Sequence, residues 1–155
     1  MKEIKLGGKR GIGKVALVDD KDFEYLNQFK WFVSPKGYVT RTLKGIKMHR
    51  VILELTNPKI QGDHINRDKL DNQRNNLRIA TNAQNCSNRV FTKNKYKGVC
   101  FDKSTNKFIG QITHNGKHYL SRHKTELEAA LWYNKKAVEL HKEFANLNKI
   151  QSGIQ

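Results

Sequence analysis

Residues 63–85 gather side chains that could work on a phosphate ester. The run reads Asp63-His64-Ile65-Asn66-Arg67-Asp68-Lys69-Leu70-Asp71-Asn72-Gln73-Arg74-Asn75-Asn76-Leu77-Arg78-Ile79-Ala80-Thr81-Asn82-Ala83-Gln84-Asn85. Carboxylate and amide oxygens are hard donors that suit magnesium-type ions. A neutral imidazole accepts a proton near neutral pH. Guanidinium groups at 67, 74 and 78 can hold phosphates through paired hydrogen bonds. Phosphodiester hydrolysis needs these abilities together: an activated water, and positive charge where the phosphate and leaving oxygen gain negative charge.

Local elements must position those groups. Ile60–Ile65 reads as a short strand ending on the Asp63-His64 pair. Asn66-Arg67-Asp68 is turn chemistry, because Asn and Asp side chains bond the backbone two residues on. Leu77-Arg78-Ile79-Ala80 alternates as a strand, with Leu77 and Ile79 on one face and Arg78 on the other. Thr81 with Gln84 forms a capping box, so a helix should start at Asn82 and carry Asn85 in its first turn. Asn66, Asn72 and Asn82 read as turn and cap residues. Upstream, Arg50–Leu55 reads as a short helix stopped by Asn57-Pro58.

This order of strand, loop, strand and helix, with Asp-His at the first strand end and asparagines at 76 and 85, resembles the HNH endonuclease motif. That motif is a ββα-metal fold in which a hairpin and a helix clamp one divalent ion. The resemblance covers about 49–90 and includes His49-Arg50, which look like the short "HR" sequence that such proteins carry upstream. It implies that His64 is the general base, that Asn76 orients it, and that Asp63 and Asn85 are metal ligands. His49 and Arg50 would support the site. Asn85 stands where the last letter of the motif is often His, a swap found in homing-type members. It implies an oxygen-donor site for magnesium, or manganese, and not for zinc. Arg67, Arg74 and Arg78 would bind flanking phosphates.

From Lys95 the pattern changes. Tyr96–Phe101, Lys107–Thr113 and Lys117–Ser121 read as three strands, the last two joined at Asn115-Gly116, a strong hairpin signal. Thr125 and Glu128 form a second capping box, opening a helix that runs to about Lys142. Leu127, Ala130, Leu131, Asn134, Ala137, Val138 and His141 fall at helical spacing and should cover the sheet. The uncovered sheet face would present Lys97, Lys107, Gln111, Thr113, Lys117 and Tyr119 to duplex DNA. Residues 95–148 resemble the ethylene-response-factor (APETALA-type) DNA-binding domain. Matches include Tyr96-x-Gly98-Val99, Asn115-Gly116-Lys117, Thr125-x-x-Glu128-Ala129-Ala130 and Phe144-Ala145-x-Leu147-Asn148. Cys100 and Asp102 depart from it, because relatives often carry guanine-reading arginines there.

The whole-chain balance agrees with a polyanionic partner. Thirty Lys and Arg stand against 14 Asp and Glu in 155 residues, for a net charge of +16 and a pI near 10.0. The basic excess is spread over residues 1–50, 51–93 and 94–155 and interleaved with apolar positions, which points to folded basic surfaces. Cys86 and Cys100 lack metal-ligand spacing and cannot make a disulfide framework. Met1-Lys2-Glu3-Ile4-Lys5-Leu6 begins neither a signal peptide nor a membrane span, so a cytoplasmic setting in a bacterial or phage-infected cell is expected. Gly8-Lys9-Arg10-Gly11-Ile12-Gly13-Lys14 fits a phosphate-loop spacing. Val15 nevertheless stands where the magnesium-binding Ser or Thr belongs, and the residues beyond Lys14 read as β rather than helix. The segment should therefore be a hairpin tip, and no nucleotide cofactor is expected.

The expected architecture is α+β. Residues 1–48 form a β-rich region, with strands at Lys14–Val18, Trp31–Val33 and Tyr38–Leu43 and a helix over about 21–29 started by Asp19-Asp20. Residues 49–93 form the ββα-metal motif, and 94–155 a three-stranded antiparallel sheet on one helix. The expected function is a metal-dependent homing-type DNA endonuclease from a mobile element, acting on double-stranded DNA as a monomer or weak dimer and nicking it. The alternative is an inactive, sequence-specific DNA-binding protein or transcription regulator. RNA binding is disfavoured, because the sheet offers few exposed aromatics for base stacking.

Overall fold

The computed structural model describes residues 1–41, 45–89 and 94–150. The end of the expected strand at 42–43 therefore lies outside the described residues. The chain divides into two compact units, Met1–Asn85 and Cys86–Gln155. Both mix α and β, as expected.

In the first unit, β1 (Lys2–Gly7) and β2 (Val15–Val18) pair antiparallel around the glycine-rich tip. Leu6 N–H bonds the Lys14 carbonyl, so residues 8–14 are a hairpin loop with no helix behind it. Helix α1 spans Asp20–Leu26 and stops short of Phe29. Asp19 is its N-cap residue but makes no side-chain cap; its carboxylate instead accepts the Arg74 backbone N–H at 2.8 Å. Strands β3 (Trp31–Val33), β4 (Val39–Arg41) and β5 (Ile46–Lys47) complete a sheet of order β2-β1-β3-β4-β5. Among its described strands, only β1 and β3 pair in parallel.

Helix α2 spans Met48–Ile52, two residues earlier than the sequence pattern indicated. Its start is decided by packing: Met48 and Ile52 enter the core, which no local signal at Lys47 foretells. A two-stranded hairpin follows, β6 (Gln61–His64) with β7 (Leu77–Ala80), and then α3 (Asn82–Ser87). The expected capping box is present: Gln84 N–H bonds Thr81 Oγ1 at 3.2 Å and Thr81 N–H bonds Gln84 Oε1 at 2.8 Å. Ile4, Leu6, Ala16, Val18, Leu26, Trp31, Val39, Met48, Ile52 and Leu77 make one core, so the front sheet and the hairpin are packed together. Ile79 does not join Leu77 in it and is 58% exposed.

In the second unit, β8 (Val99–Asp102), β9 (Lys107–His114) and β10 (Lys117–His123) form an antiparallel sheet of order β10-β9-β8. Helix α4 (Glu126–His141) opens on the capping box of Thr125 and Glu128. Its covered face is Ala129, Ala130, Tyr133 and Ala137, whereas Leu127, Leu131 and Val138 stay exposed, contrary to the expected stripe. Close approach explains the rotation. A Cβ on Gly110 would lie 2.8 Å from the Ala129 carbonyl oxygen and 2.7 Å from Trp132 Cε3. At that separation the helix meets β9 through alanines, with the Tyr133 and Trp132 rings fitted against Gly98 and Gly110, and the leucines are turned outward. The segment after α4 is tied down by Asn148, whose side chain accepts from Lys97 N–H at 2.6 Å and donates to the Lys97 carbonyl at 3.1 Å.

Candidate active site

The hairpin register sets which side chains meet. Asp63 pairs with Arg78 and His64 with Leu77. Directly opposed residues share a face, so Asp63 and Arg78 point together and His64 points the other way. Arg78 Nε and Nη2 reach Asp63 Oδ2 at 2.9 and 2.8 Å. This is a buried ion pair, with side chains 14% and 7% exposed. Arg78, expected among the phosphate binders, is thus held by Asp63.

His64 is buried in a pocket of rings. Its centroid lies 4.9 Å from His49, edge to face, and 6.1 Å from Tyr38. Burial is the largest influence on its pKa and lowers it below 6.5, against smaller upward pulls from the Asn72 hydrogen bond and from Asp63, Asp68 and Asp71. His49 is only 3% exposed, and burial with the neighbouring His64 brings its pKa to about 3. Both imidazoles are therefore neutral at pH 7. His49 fits because residue 62 is glycine: a Cβ there would be 2.7 Å from His49 Cδ2.

Asn72, read as a turn residue, is the asparagine at the histidine. It is fully buried, and its Oδ1 lies 3.3 Å from His64 Nε2. Its Nδ2 donates to the Lys69 and Leu70 carbonyls at 3.3 and 3.1 Å, which orients the amide with oxygen toward the ring. The front sheet fixes its backbone: Asn72 N–H bonds the Leu17 carbonyl at 2.8 Å and Leu17 N–H bonds the Leu70 carbonyl at 2.9 Å. Nothing in residue type or spacing separates Asn72 from its neighbours; only strand β2 does.

Asn76 lies elsewhere in the same loop. Its Oδ1 accepts from Asn66 N–H at 2.9 Å and its Nδ2 donates to the Asp71 carbonyl at 2.8 Å. It therefore staples the 66–71 loop. Asn66 makes the expected turn, accepting from Asp68 N–H at 2.8 Å. Asn85 is half-buried in α3, its N–H on the Thr81 carbonyl at 3.0 Å. Arg50 donates to the carbonyls of Leu55, Asn57 and Ile60 at 3.0, 2.8 and 2.6 Å, binding the loop that feeds β6. Arg74 grips Asp22 of α1 through both carboxylate oxygens at 2.8 Å. Arg67 occupies the turn with a positive φ of 69°. Among the described residues, no three His, Cys, Asp or Glu side chains converge as a metal cage.

In the second unit, strand register corrects the expected DNA-facing set. Tyr119 pairs with Ile112 and packs with Tyr133 on the helix side. Lys117 opposes His114, with the same parity as Tyr119. Lys97 lies outside the strands and donates to the Ser87 and Arg89 carbonyls. The uncovered face instead carries Lys107, Ile109, Gln111 and Thr113 of β9 beside His118, Leu120 and Arg122 of β10. The Asn115-Gly116 turn pairs Lys117 with His114, so the faces of β10 follow from those of β9.

The family model for HNH endonucleases matches residues 47–86. An uncharacterised HNH endonuclease of Acanthamoeba polyphaga mimivirus is 38% identical over 151 residues, which covers 91% of this chain and 78% of the relative. No solved structure matches the chain significantly. Among the described residues, no helix is long and apolar enough to cross a membrane.

Proposed function

The chain belongs to the HNH endonuclease family, and from that premise we propose that it is an active, metal-dependent DNA endonuclease of homing type that nicks duplex DNA. The observation that carries this reading is the set of contacts around His64. A buried, neutral imidazole with one ring nitrogen held by an amide oxygen is a prepared proton acceptor. With Asn72 Oδ1 facing Nε2, the Nε2–H tautomer donates to it, and Nδ1 is the basic atom. His64 Nδ1 then takes a proton from the attacking water as the new P–O bond forms. The 3′ oxygen leaves and is protonated by solvent, giving a 3′ hydroxyl and a 5′ phosphate.

HNH nucleases generally use a divalent metal ion, and the donor set here fits a hard one. Asp63 and Asn85 offer a carboxylate and an amide oxygen. Two such ligands suit an ion that keeps several waters and takes phosphate oxygens as its other ligands, as magnesium and manganese do. Such an ion would neutralise charge on the phosphate and the leaving oxygen. Asp63 and Asn85 are proposed to hold it. Asn76 keeps the 66–71 loop in shape, and His49 and Arg50 brace the base and its strand.

A nuclease of this family would bind DNA. The second unit is proposed to supply duplex affinity through the Lys107, Gln111, Thr113, His118 and Arg122 face, in the manner of the ethylene-response-factor domains that its sequence resembles. Its three strands on one helix support that reading, and the +16 charge supports a nucleic-acid partner. The experiment is supercoiled plasmid incubated with and without Mg2+, comparing the native chain with His64→Ala. Metal-dependent nicking that His64→Ala loses is the expected result. Absence of nicking on any DNA, with binding intact, would favour a binding-only protein. Nicking retained by His64→Ala would remove His64 as the base.

A further inference from the structure

We propose that Arg78 is an exchange residue: it neutralises Asp63 in the ion-free protein and passes its guanidinium to a DNA phosphate when the divalent ion takes the carboxylate. This rests on the reading of Asp63 as a metal ligand. Asp63 and Arg78 are cross-strand partners, and two guanidinium nitrogens converge on Oδ2. A carboxylate this buried needs a partner, and Arg78 is that partner. A divalent ion at the same carboxylate would face a cation already bonded to it, and like charges that close repel strongly in a partly buried site. Ion binding must therefore displace the guanidinium or give it another anion. DNA brings one, because a phosphate accepts the guanidinium fork as well as a carboxylate does. Arg74 is the contrast. Its fork closes on both oxygens of Asp22, a residue of α1 outside the proposed donor set, so it has no ion to yield to. The exchange makes ion and DNA favour each other, and it lowers ion affinity when DNA is absent.

The test is Mn2+ binding to the full chain by calorimetry, without DNA. Arg78→Gln should bind Mn2+ at least about tenfold more tightly than the native chain, because the competing charge is gone. Unchanged or weaker binding by a folded Arg78→Gln overturns the exchange. Asp63→Asn separates the two readings: if it leaves Mn2+ affinity unaltered, the metal assignment is wrong and the exchange falls with it. Should Arg78→Gln fail to fold, the native chain still decides. Its Arg78 Nε–H resonance should be protected from solvent exchange and should shift on titration with Mg2+; a resonance that Mg2+ leaves in place overturns the proposal. Finally, in the His64→Ala background, Arg78→Gln should weaken duplex binding in Mg2+ and not in EDTA. Equal weakening in both would make Arg78 an ordinary phosphate contact and end the proposal.

Discussion

Asn72 Oδ1 stands 3.3 Å from His64 Nε2, and strand β2 holds the Asn72 backbone there through the Leu17 carbonyl. The residue that addresses the histidine is thus positioned by a strand far from it in sequence. The front sheet thereby acquires a role: β2 fixes the loop whose Asn72 addresses His64. Tyr38 adds a wall to the same pocket, 5.4 Å from His49 and 6.1 Å from His64.

Replacing Asn72 should separate positioning from stability. Asn72→Ala removes a donor from two carbonyls in a buried loop and should lower stability by about 1–3 kcal/mol. Its kcat should fall by about 10- to 100-fold with KM little changed, because the lost contact is a partner of the proposed base and not of the substrate. Asn72→Asp keeps an acceptor for Nε2 but adds negative charge. That favours the imidazolium and should move the acid limb of the pH–rate profile to higher pH. An unmoved acid limb would mean that Asn72 only holds the loop.

With His64 as the proposed base, the acid limb of the native chain's nicking rate should itself lie low. Burial lowers the His64 pKa below 6.5, so the neutral base persists as pH falls through 6.5. Nicking rates measured between pH 5 and 8 should stay level across pH 6.5 and decline only below it. A decline centred above pH 7 would contradict the burial argument.

Stability should show the same burial with a definite sign. In the unfolded chain His49 titrates at its ordinary 6.5; in the folded protein it does so at about 3. Between those values the unfolded state binds the extra proton, so stability is complete above about pH 6.5 and is lost as pH falls toward 3. His49 contributes a slope of about 1.4 kcal/mol per pH unit in that window. Melting temperature measured from pH 7 to 4.5 should fall accordingly, and His49→Leu should flatten the fall.

Gly62→Ala tests the fit of His49 directly. The added methyl would sit 2.7 Å from His49 Cδ2 and 3.2 Å from Leu53 Cδ1. Overpacking of this kind costs about 1–3 kcal/mol. Pairing it with His49→Ala should restore part of the loss, read as a double-mutant cycle by thermal unfolding. Additive losses would place the strain elsewhere.

Strand register predicts which basic-sheet substitutions touch DNA. Arg122→Ala should weaken duplex binding and reduce the salt dependence of affinity by about one phosphate contact, with melting temperature unchanged. Tyr119→Ala should do the reverse, because Tyr119 packs against the helix side of the sheet. Anisotropy titrations at several salt concentrations, with melting curves, distinguish the two.

Much of the molecule was readable from the chain. Period-two alternation, turn chemistry and two capping boxes located β6, β7, α3, the C-terminal sheet and α4, because these signals act within a few residues. Residue types also singled out Asp63, His64 and Asn85 as the candidate metal and base groups, which remain the proposed ones. Tertiary structure decided the rest. Which asparagine meets His64 depended on β2, and which arginine meets a carboxylate depended on cross-strand register. Which face of α4 is covered depended on Gly110 and the helix's closeness to the sheet, and the same kind of register placed Tyr119 inward. Apart from the β9–β10 hairpin register, each is a contact between segments separated in sequence, where local propensity is silent and close packing selects one partner among chemically equal candidates.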